Sequence, residues 1–515
     1  MACTCANAGR RAVEPTPTPL RLFVYSDDER IGRQLAILGH AIFVVRPARH
    51  ADGASQAMLG RFRAHAVVTD RTGGDFGALT RVGVRLPEIC DECAPFAHQP
   101  AIADALTSAL TTVPATDSAV GRTVVISGYY GAKNTGDNLL LEAIAQALVE
   151  FDDRTTISVA ATNPTEVERS HGLPAYSRKQ LDLITPHLDT CTAFILGGGG
   201  LWNDYNFNEL GGVAALFDSP IASIPGWTQT QLLAQLLGVR THGYGIGVGP
   251  LSDEGARALV HLAAVDMDSV VVRDESSRTV LAELGVDALV APDPVYGLRL
   301  DVSGARPTDP PYIALNLRDW QFDDAEYLSH LRTALATWCR VHGTAVVGVP
   351  MQPSDVKTLQ AFLSTLPDDV ARSTLRWEHD ATTVLGAINH AEFVVAMRLH
   401  TCLLGHRLGR AVVGLSYDPK VREHFVELQR SEFALPLSSD EAALGAAFAG
   451  AATGLPAETI DVVGQLEAAS RAGLRALAER IAATPLKQVP AARTYPRTRA
   501  PESESRKGFL GRMRG

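Results

Sequence analysis

Residues 391–420, "AEFVVAMRLHTCLLGHRLGRAVVGLSYDPK", decide how this chain folds. "FVVAM" and "AVVGL" are short apolar, β-branched runs, and the residues between them have helical character. Strand, helix, strand with no polar alternation is the pattern of a parallel sheet buried on both faces. At the first strand-to-helix junction sit Arg398 and His400, a cation and a titratable imidazole two residues apart. If the strand runs on through them, its period of two sends both side chains to the same side.

Working outward, "YIALNLRDW", the helix "AEYLSHLRTALATWCRVHG" and "AVVGVPM" complete a doubly wound unit over residues 307–486. Its Ala-rich helical end, residues 440–484, is expected to pack outside or cross back onto the preceding domain. Residues 121–306 repeat the alternation with "TVVISGYYG", "DNLLLEAIAQALVEF", "TTISVAA", "TAFILGGGG", "WTQTQLLAQLLG", "THGYGIGVGP", "SVVVRDE" and "ALVAPDP". The fold class is therefore α/β, with two Rossmann-like domains in tandem. Such pairs enclose a cleft at the C-terminal ends of their strands, where side chains of interest converge. A smaller α/β unit is expected over residues 20–115, with strands "LRLFVYS", "AIFVV" and "AHAVVTD" and a linker at 111–121. Its Asp27, Asp28 and Asp70 suit either a receiver-like acidic site or ordinary turns.

The 515 residues, 46% hydrophobic and 20% charged, suffice for several cores. No apolar run nears the roughly 20 residues that span a bilayer, and residues 1–19 lack the apolar middle of a signal peptide, reading instead as a disordered leader. A cytoplasmic protein is expected. Seven cysteines are an odd number thinly spread, so reduced thiols are expected. Cys90 and Cys93 have CxxC spacing with no partner pair, and no metal or cofactor is assigned. The net charge of −10 argues against nucleic acid as a partner. The basic, Pro-broken tail, residues 487–515, is either a solvated end or a peripheral tether to an anionic membrane, where each Lys or Arg adds roughly 1 kcal/mol.

Four motifs fall at strand ends. "GYYGAKNTGDN", residues 128–138, opens a helix whose free amides suit an anion. It lacks the G-x-G-x-x-G spacing and the acidic residue of a dinucleotide site, because Asn163 ends the next strand, and Asp137 stands where a P-loop has Lys. "ILGGGGLWND", residues 195–204, points to close approach of substrate or backbone at the glycines, or to a flexible loop. Trp202 and Tyr205 suit either a sugar platform or packing. "VVVRDESS" places Arg273 past a buried strand, and "APDP" places Asp293 in a turn.

This ordered set, with "MRLHTCLLGHRLGRAVVGLSYDPKV", resembles the polysaccharide pyruvyl transferase family over roughly residues 123–430. The resemblance implies a glycosyltransferase-B-like pair of Rossmann-like domains. It implies transfer of the three-carbon unit of phosphoenolpyruvate onto a saccharide as a ketal, with release of phosphate, in cell-wall or exopolysaccharide synthesis. It also implies His400 and Asp137 as catalytic residues and Arg273, Arg398 and Leu399 as the phosphoenolpyruvate-binding set. Asn134, Gly198, Gly199, Asp204, Arg318 and Lys420 are candidate acceptor or loop contacts. The pattern departs at Asn138, where the family more often carries Glu.

The residue types suit that chemistry independently. A phosphate and a carboxylate on one small donor call for fixed arginine forks, and protonating a methylene carbon calls for a group titrating near neutrality. Asp137 suits either a base for the acceptor hydroxyl or a helix cap. Lys420 either adds positive potential or pairs with Asp418, and His406 is more simply a packed histidine. Two other functions fit the fold: a nucleotide-sugar glycosyltransferase, and a catalytically silent carbohydrate-binding or regulatory protein. The acceptor is expected to be a saccharide, lipid-linked or free.

Overall fold

The computed structural model describes residues 122–218, 223–319 and 325–485, and four strand segments before them. Those segments, β1 (Arg21–Tyr25), β2 (Ala41–Val45), β3 (Ala66–Thr69) and β4 (Thr80–Gly83), form a parallel sheet in the order β2-β1-β3-β4. The leader, the 111–121 linker, Asp27, Asp28, Asp70, the Cys90–Cys93 pair and the basic tail lie outside the described residues.

The second sheet has seven strands: β5 (Thr123–Ser127), β6 (Thr156–Ala161), β7 (Ala175–Ser177), β8 (Ala193–Trp202), β9 (Arg240–Val248), β10 (Ser269–Val272) and β11 (Leu289–Val290). All run parallel in the order β11-β10-β9-β8-β5-β6-β7. Successive side chains of β8 enter different apolar clusters. Ala193 and Ile195 pack with Leu140 and Ile144 of the Thr135–Phe151 helix, whereas Phe194 and Leu196 pack with Trp227 and Val260 on the other face. Both faces are buried, so β-branched and aromatic residues fill both phases of the strand.

The third sheet contains β12 (Tyr312–Asn316), β13 (Ala345–Gly348), β14 (Arg372–Thr374), β15 (Phe393–Ala396), β16 (Val412–Ser416) and β17 (Ala434–Pro436). Its order is β14-β13-β12-β15-β16-β17, again all parallel. In each large sheet the chain winds to one side and then returns to the other, between β5 and β8 and between β12 and β15. Divergence of the connections there opens a crevice at the C-terminal strand ends.

The two large domains are tied together. The apolar cluster around the Thr135–Phe151 helix is continuous with the core of the third sheet. The Thr135 N–H donates to Met351 O at 2.8 Å, and the Arg407 guanidinium donates to the carbonyls of Val295 and Leu298. The Ala457–Ala483 helix crosses back onto the second sheet, where Ser470 Oγ donates to Asp293 O at 3.1 Å. This is the crossing-back alternative of the sequence reading. It also explains why the Thr135–Phe151 helix is apolar on more than one face: it lies between its own sheet and the returning helix.

Candidate active site

The site begins where β5 ends. Asn134 caps the Thr135–Phe151 helix, its side-chain oxygen accepting from the N–H groups of Gly136 and Asp137 at 3.0 and 3.4 Å. Asp137 is thereby released from the capping role and sits in the first turn, nearly buried. Burial pushes its carboxyl up, the charges of His400, Arg273 and Arg398 pull it down, Asp293 pushes it up again, and it settles at about 6. A first-turn carboxylate also complements the positive end of the helix dipole.

The glycine run is part of β8, not a flexible loop. Gly199 has φ +100°, and a Cβ there would lie 2.8 Å from Asp137 Oδ1. A Cβ on Gly247 of β9, which pairs with Gly200, would lie 2.7 Å from Arg273 Nη2. The small residues therefore make room for two charged side chains of the site. The approach expected of substrate or backbone at Gly198 and Gly199 is made by Leu140 and Asp137. Neither glycine reaches the cavity, although Gly200 does.

Arg273 follows β10 and is nearly buried, with Nη1 3.7 Å from Asp293 and Nε 3.5 Å from Asp274. Arg398 follows β15. Its Nε and Nη2 lie 2.8 and 2.6 Å from the two oxygens of Asp355, and its backbone N–H donates to Asn316 Oδ1 at 3.1 Å. Asn316 in turn donates to Val349 O at 2.9 Å, so the ends of β12, β13 and β15 are stitched together beneath the arginine.

Here the structure departs from strand alternation. β15 stops at Ala396, Arg398 is the N-cap of the Leu399–Arg407 helix, and Leu399 and His400 occupy its first turn. Arg398 and His400 reach one cavity because the helix starts there, not because an extended segment continues. His400 Nε2 lies 3.6 Å from Asp293 Oδ2, and that carboxyl is held low: burial raises it, but His400 and Arg273 outweigh burial.

These residues meet in a cavity of about 430 Å³ between the domains. Asn134, Asp137, Arg273, Arg318, Arg398, Leu399, His400 and Lys420 all line it, with Tyr129, Tyr205, Trp227 and Tyr417 as aromatic walls. Arg318 donates to Tyr417 Oη at 2.8 Å. Lys420 pairs with Asp418 at 2.9 Å and also lines the cavity. Asp418 also accepts from Tyr205 Oη of the other domain at 3.1 Å.

Asp204 does not join the site. Its Oδ2 accepts from Ser252 Oγ at 3.0 Å and from the Asp253 N–H at 2.8 Å, and so braces the turn after β9. Trp202 is wholly buried packing, and His406 is buried with Nδ1 3.0 Å from His424 Nε2, so its packed role holds. Sequence reasoning missed Asp355 altogether, because in "QPSDV" it reads as an ordinary first-turn acid. It placed Asp293 only as a turn residue and gave no role to Tyr129 or Trp227. Among the described residues no group of His, Cys, Asp and Glu is arranged to hold a metal ion, and no helix there is long and apolar enough to cross a membrane.

The fold is shared with UDP-GlcNAc 2-epimerase from Methanocaldococcus jannaschii, at 12% identity and a TM-score of 0.50 over 70% of this chain and 99% of that one. A glycosyltransferase from Rickettsia africae aligns at 9% identity and a TM-score of 0.47, over 71% of this chain and all of that one. No curated protein matches the chain. The family model for polysaccharide pyruvyl transferase matches residues 134–419, more than half of the chain, from the Asn134 cap to the Pro419 helix start. With Asn134, Asp137, Arg273, Arg318, Arg398, Leu399 and His400 all inside that span, the chain belongs to the polysaccharide pyruvyl transferase family.

Proposed function

We propose that the protein transfers the enolpyruvyl unit of phosphoenolpyruvate to two hydroxyls of a saccharide, forming a pyruvate ketal and releasing phosphate. The observation that carries this reading is the convergence of Arg273, Arg398 and His400 on one buried carboxylate, Asp137, in a single cavity. Arg398 keeps Nη1 for a ligand after Asp355 has taken its other edge, and Arg273 faces it from the second domain. Two fixed guanidinium groups suit the phosphate and carboxylate of one small donor.

Protonation of the donor's methylene carbon by His400 creates oxocarbenium character at C2. The acceptor hydroxyl attacks there, and its proton passes to Asp137. The C2–O bond to phosphate then breaks, phosphate leaving with the electron pair, and the second hydroxyl closes the ketal as its proton passes to the now neutral His400. Fixed dipoles and charges around the developing cation lower its cost. Tyr205 offers an aromatic face to the sugar, and Arg318 and Lys420 add positive potential on that side. The acceptor is a saccharide of the polysaccharide-precursor class, lipid-linked or free, and the work is done in the cytoplasm with no separate cofactor.

The test is incubation with phosphoenolpyruvate and a panel of lipid-linked and nucleotide-linked sugars, reading phosphate release and product mass. Acceptor-dependent phosphate release with a mass gain on the sugar is expected. Consumption of a nucleotide sugar with no such release would replace the proposal with glycosyl transfer.

A further inference from the structure

Two buried polar atoms in the site face each other and have no hydrogen-bond partner among the described residues: Asp293 Oδ2 and His400 Nε2. They are 3.6 Å apart, just beyond hydrogen-bond length. Unpaired buried polar atoms are costly, so an opposed pair of this kind calls for an explanation. Asp293 is fixed from its other side: Oδ1 accepts from the Val295 N–H at 3.0 Å, and its carbonyl accepts from Ser470 Oγ at 3.1 Å.

The opposite edge of the ring is different. Nδ1 lies directly over Gly136, in the first turn of the Thr135–Phe151 helix, so closely that a Cβ at residue 136 would collide with it. His400 lines the cavity with its side chain 14% exposed, although Nε2 is shut off from solvent. The ring thus has a buried nitrogen toward a carboxylate and its other nitrogen over the first turn of the Thr135–Phe151 helix, whose Asn134 and Asp137 line the cavity.

We propose that Asp293 is a positioning residue: it holds the Nε2–H of His400, so that Nδ1 is the nitrogen that hands a proton to the substrate. The proposal rests on the pyruvyl-transfer reading for the identity of that substrate, but the tautomer and its partner do not. In the reaction the Nδ1–H bond breaks with its electron pair left on the imidazole, and the π pair of the methylene carbon forms the new C–H bond. His400 is left neutral with Nε2–H still facing Asp293. A carboxylate behind the ring favours the imidazolium and fixes the ring's orientation.

The groups around the ring leave Asp293 as its partner. Asp137 approaches from the Thr135–Phe151 helix, Arg273 from the end of β10, Arg398 from the ring's own helix cap, and His424 from the Pro419–Glu427 helix. Burial drives His424 down to about 4, so it is uncharged at neutral pH. Asp137, at about 6, is the carboxyl that can accept a proton, whereas Asp293 stays ionised.

The test reads His400 directly, by NMR of the full chain with labelled histidine and His400→Gln for assignment. Wild-type neutral His400 is expected as the Nε2–H tautomer, and a dominant Nδ1–H tautomer overturns the proposal without touching the pyruvyl reading. Asp293→Asn keeps the Oδ1 acceptor for Val295 and removes the charge. With an amide N–H facing Nε2, that variant should turn neutral His400 toward the Nδ1–H tautomer and lower kcat. An unchanged tautomer in Asp293→Asn also overturns the proposal. Gly136→Ala should lower kcat about 100-fold by displacing Nδ1, with denaturant unfolding of the same variant confirming that it is folded. Full activity in that variant would remove Nδ1 from the proton transfer.

Discussion

Asp355 grips Arg398 at two points, 2.8 Å from Nε and 2.6 Å from Nη2, and Asp355 is completely buried. The same carboxylate accepts the Met351 N–H at 3.0 Å, at the end of β13. A long, flexible side chain thus becomes a fixed charge whose remaining nitrogen is aimed by the scaffold. Removing one partner of such a pair leaves an uncompensated buried charge, which costs about 3–5 kcal/mol.

Asp355→Asn should therefore destabilise the fold by about 3 kcal/mol and weaken phosphoenolpyruvate binding about tenfold or more, with Arg398 itself untouched. Denaturant unfolding and a binding titration on the same variant check both halves. Wild-type donor affinity in a folded Asp355→Asn protein would mean that Arg398 needs no fixed partner.

Asp137 makes stability and activity respond to pH in opposite directions. Its folded-state carboxyl lies at about 6 against an ordinary 3.8, because burial penalises the anion. Between those values the folded state binds more protons than the unfolded state, so this group's contribution to stability falls as pH rises from about 4 to about 6. Above about 6 the penalty is complete, of the order of 3 kcal/mol. Asp137→Asn should remove it: the variant gains stability relative to wild type as pH rises through this window, while losing turnover. Wild-type kcat/KM should climb through pH 6 as the base ionises. Unfolding curves at pH 4 and pH 7 test the first claim. A stability gap that does not widen with pH would contradict it.

Fold class was legible because β-branched runs such as "TVVIS" and "FVVA" are buried on both faces and so show no polar alternation. The two crevices were legible as well, since glycines and charges gather where strands end. Local pattern does not report side-chain partnership across domains. Asp355 looks like any helix-start acid until the third sheet brings it beneath Arg398, and Asp293 looks like a turn until the Leu399 helix lays His400 beside it. The opposite error occurred at Asp204, which stands beside the glycine run in sequence but turns away to hold Ser252 and Asp253. The junction at Arg398 misled for a related reason. Where a strand stops is set by pairing with β12 and by the Asn316 bond to the Arg398 N–H, neither of which local sequence contains.

Gly247 and Arg273 test the donor clamp from its other side. Gly247 lies in β9 with Arg273 stacked over it, and a Cβ there would lie 2.7 Å from Nη2 and 3.0 Å from Cζ. Gly247→Ala should push the guanidinium toward the cavity without removing its charge, whereas Arg273→Lys should keep a charge and lose the planar fork. Both should raise the KM for phosphoenolpyruvate about tenfold or more, with a smaller effect on kcat, because each disturbs a contact made to the bound donor before the transition state is reached. Steady-state kinetics with the acceptor held saturating separates the two parameters. A fall in kcat alone, at unchanged KM, would move Arg273 from donor binding to transition-state stabilisation, and the clamp would then rest on Arg398.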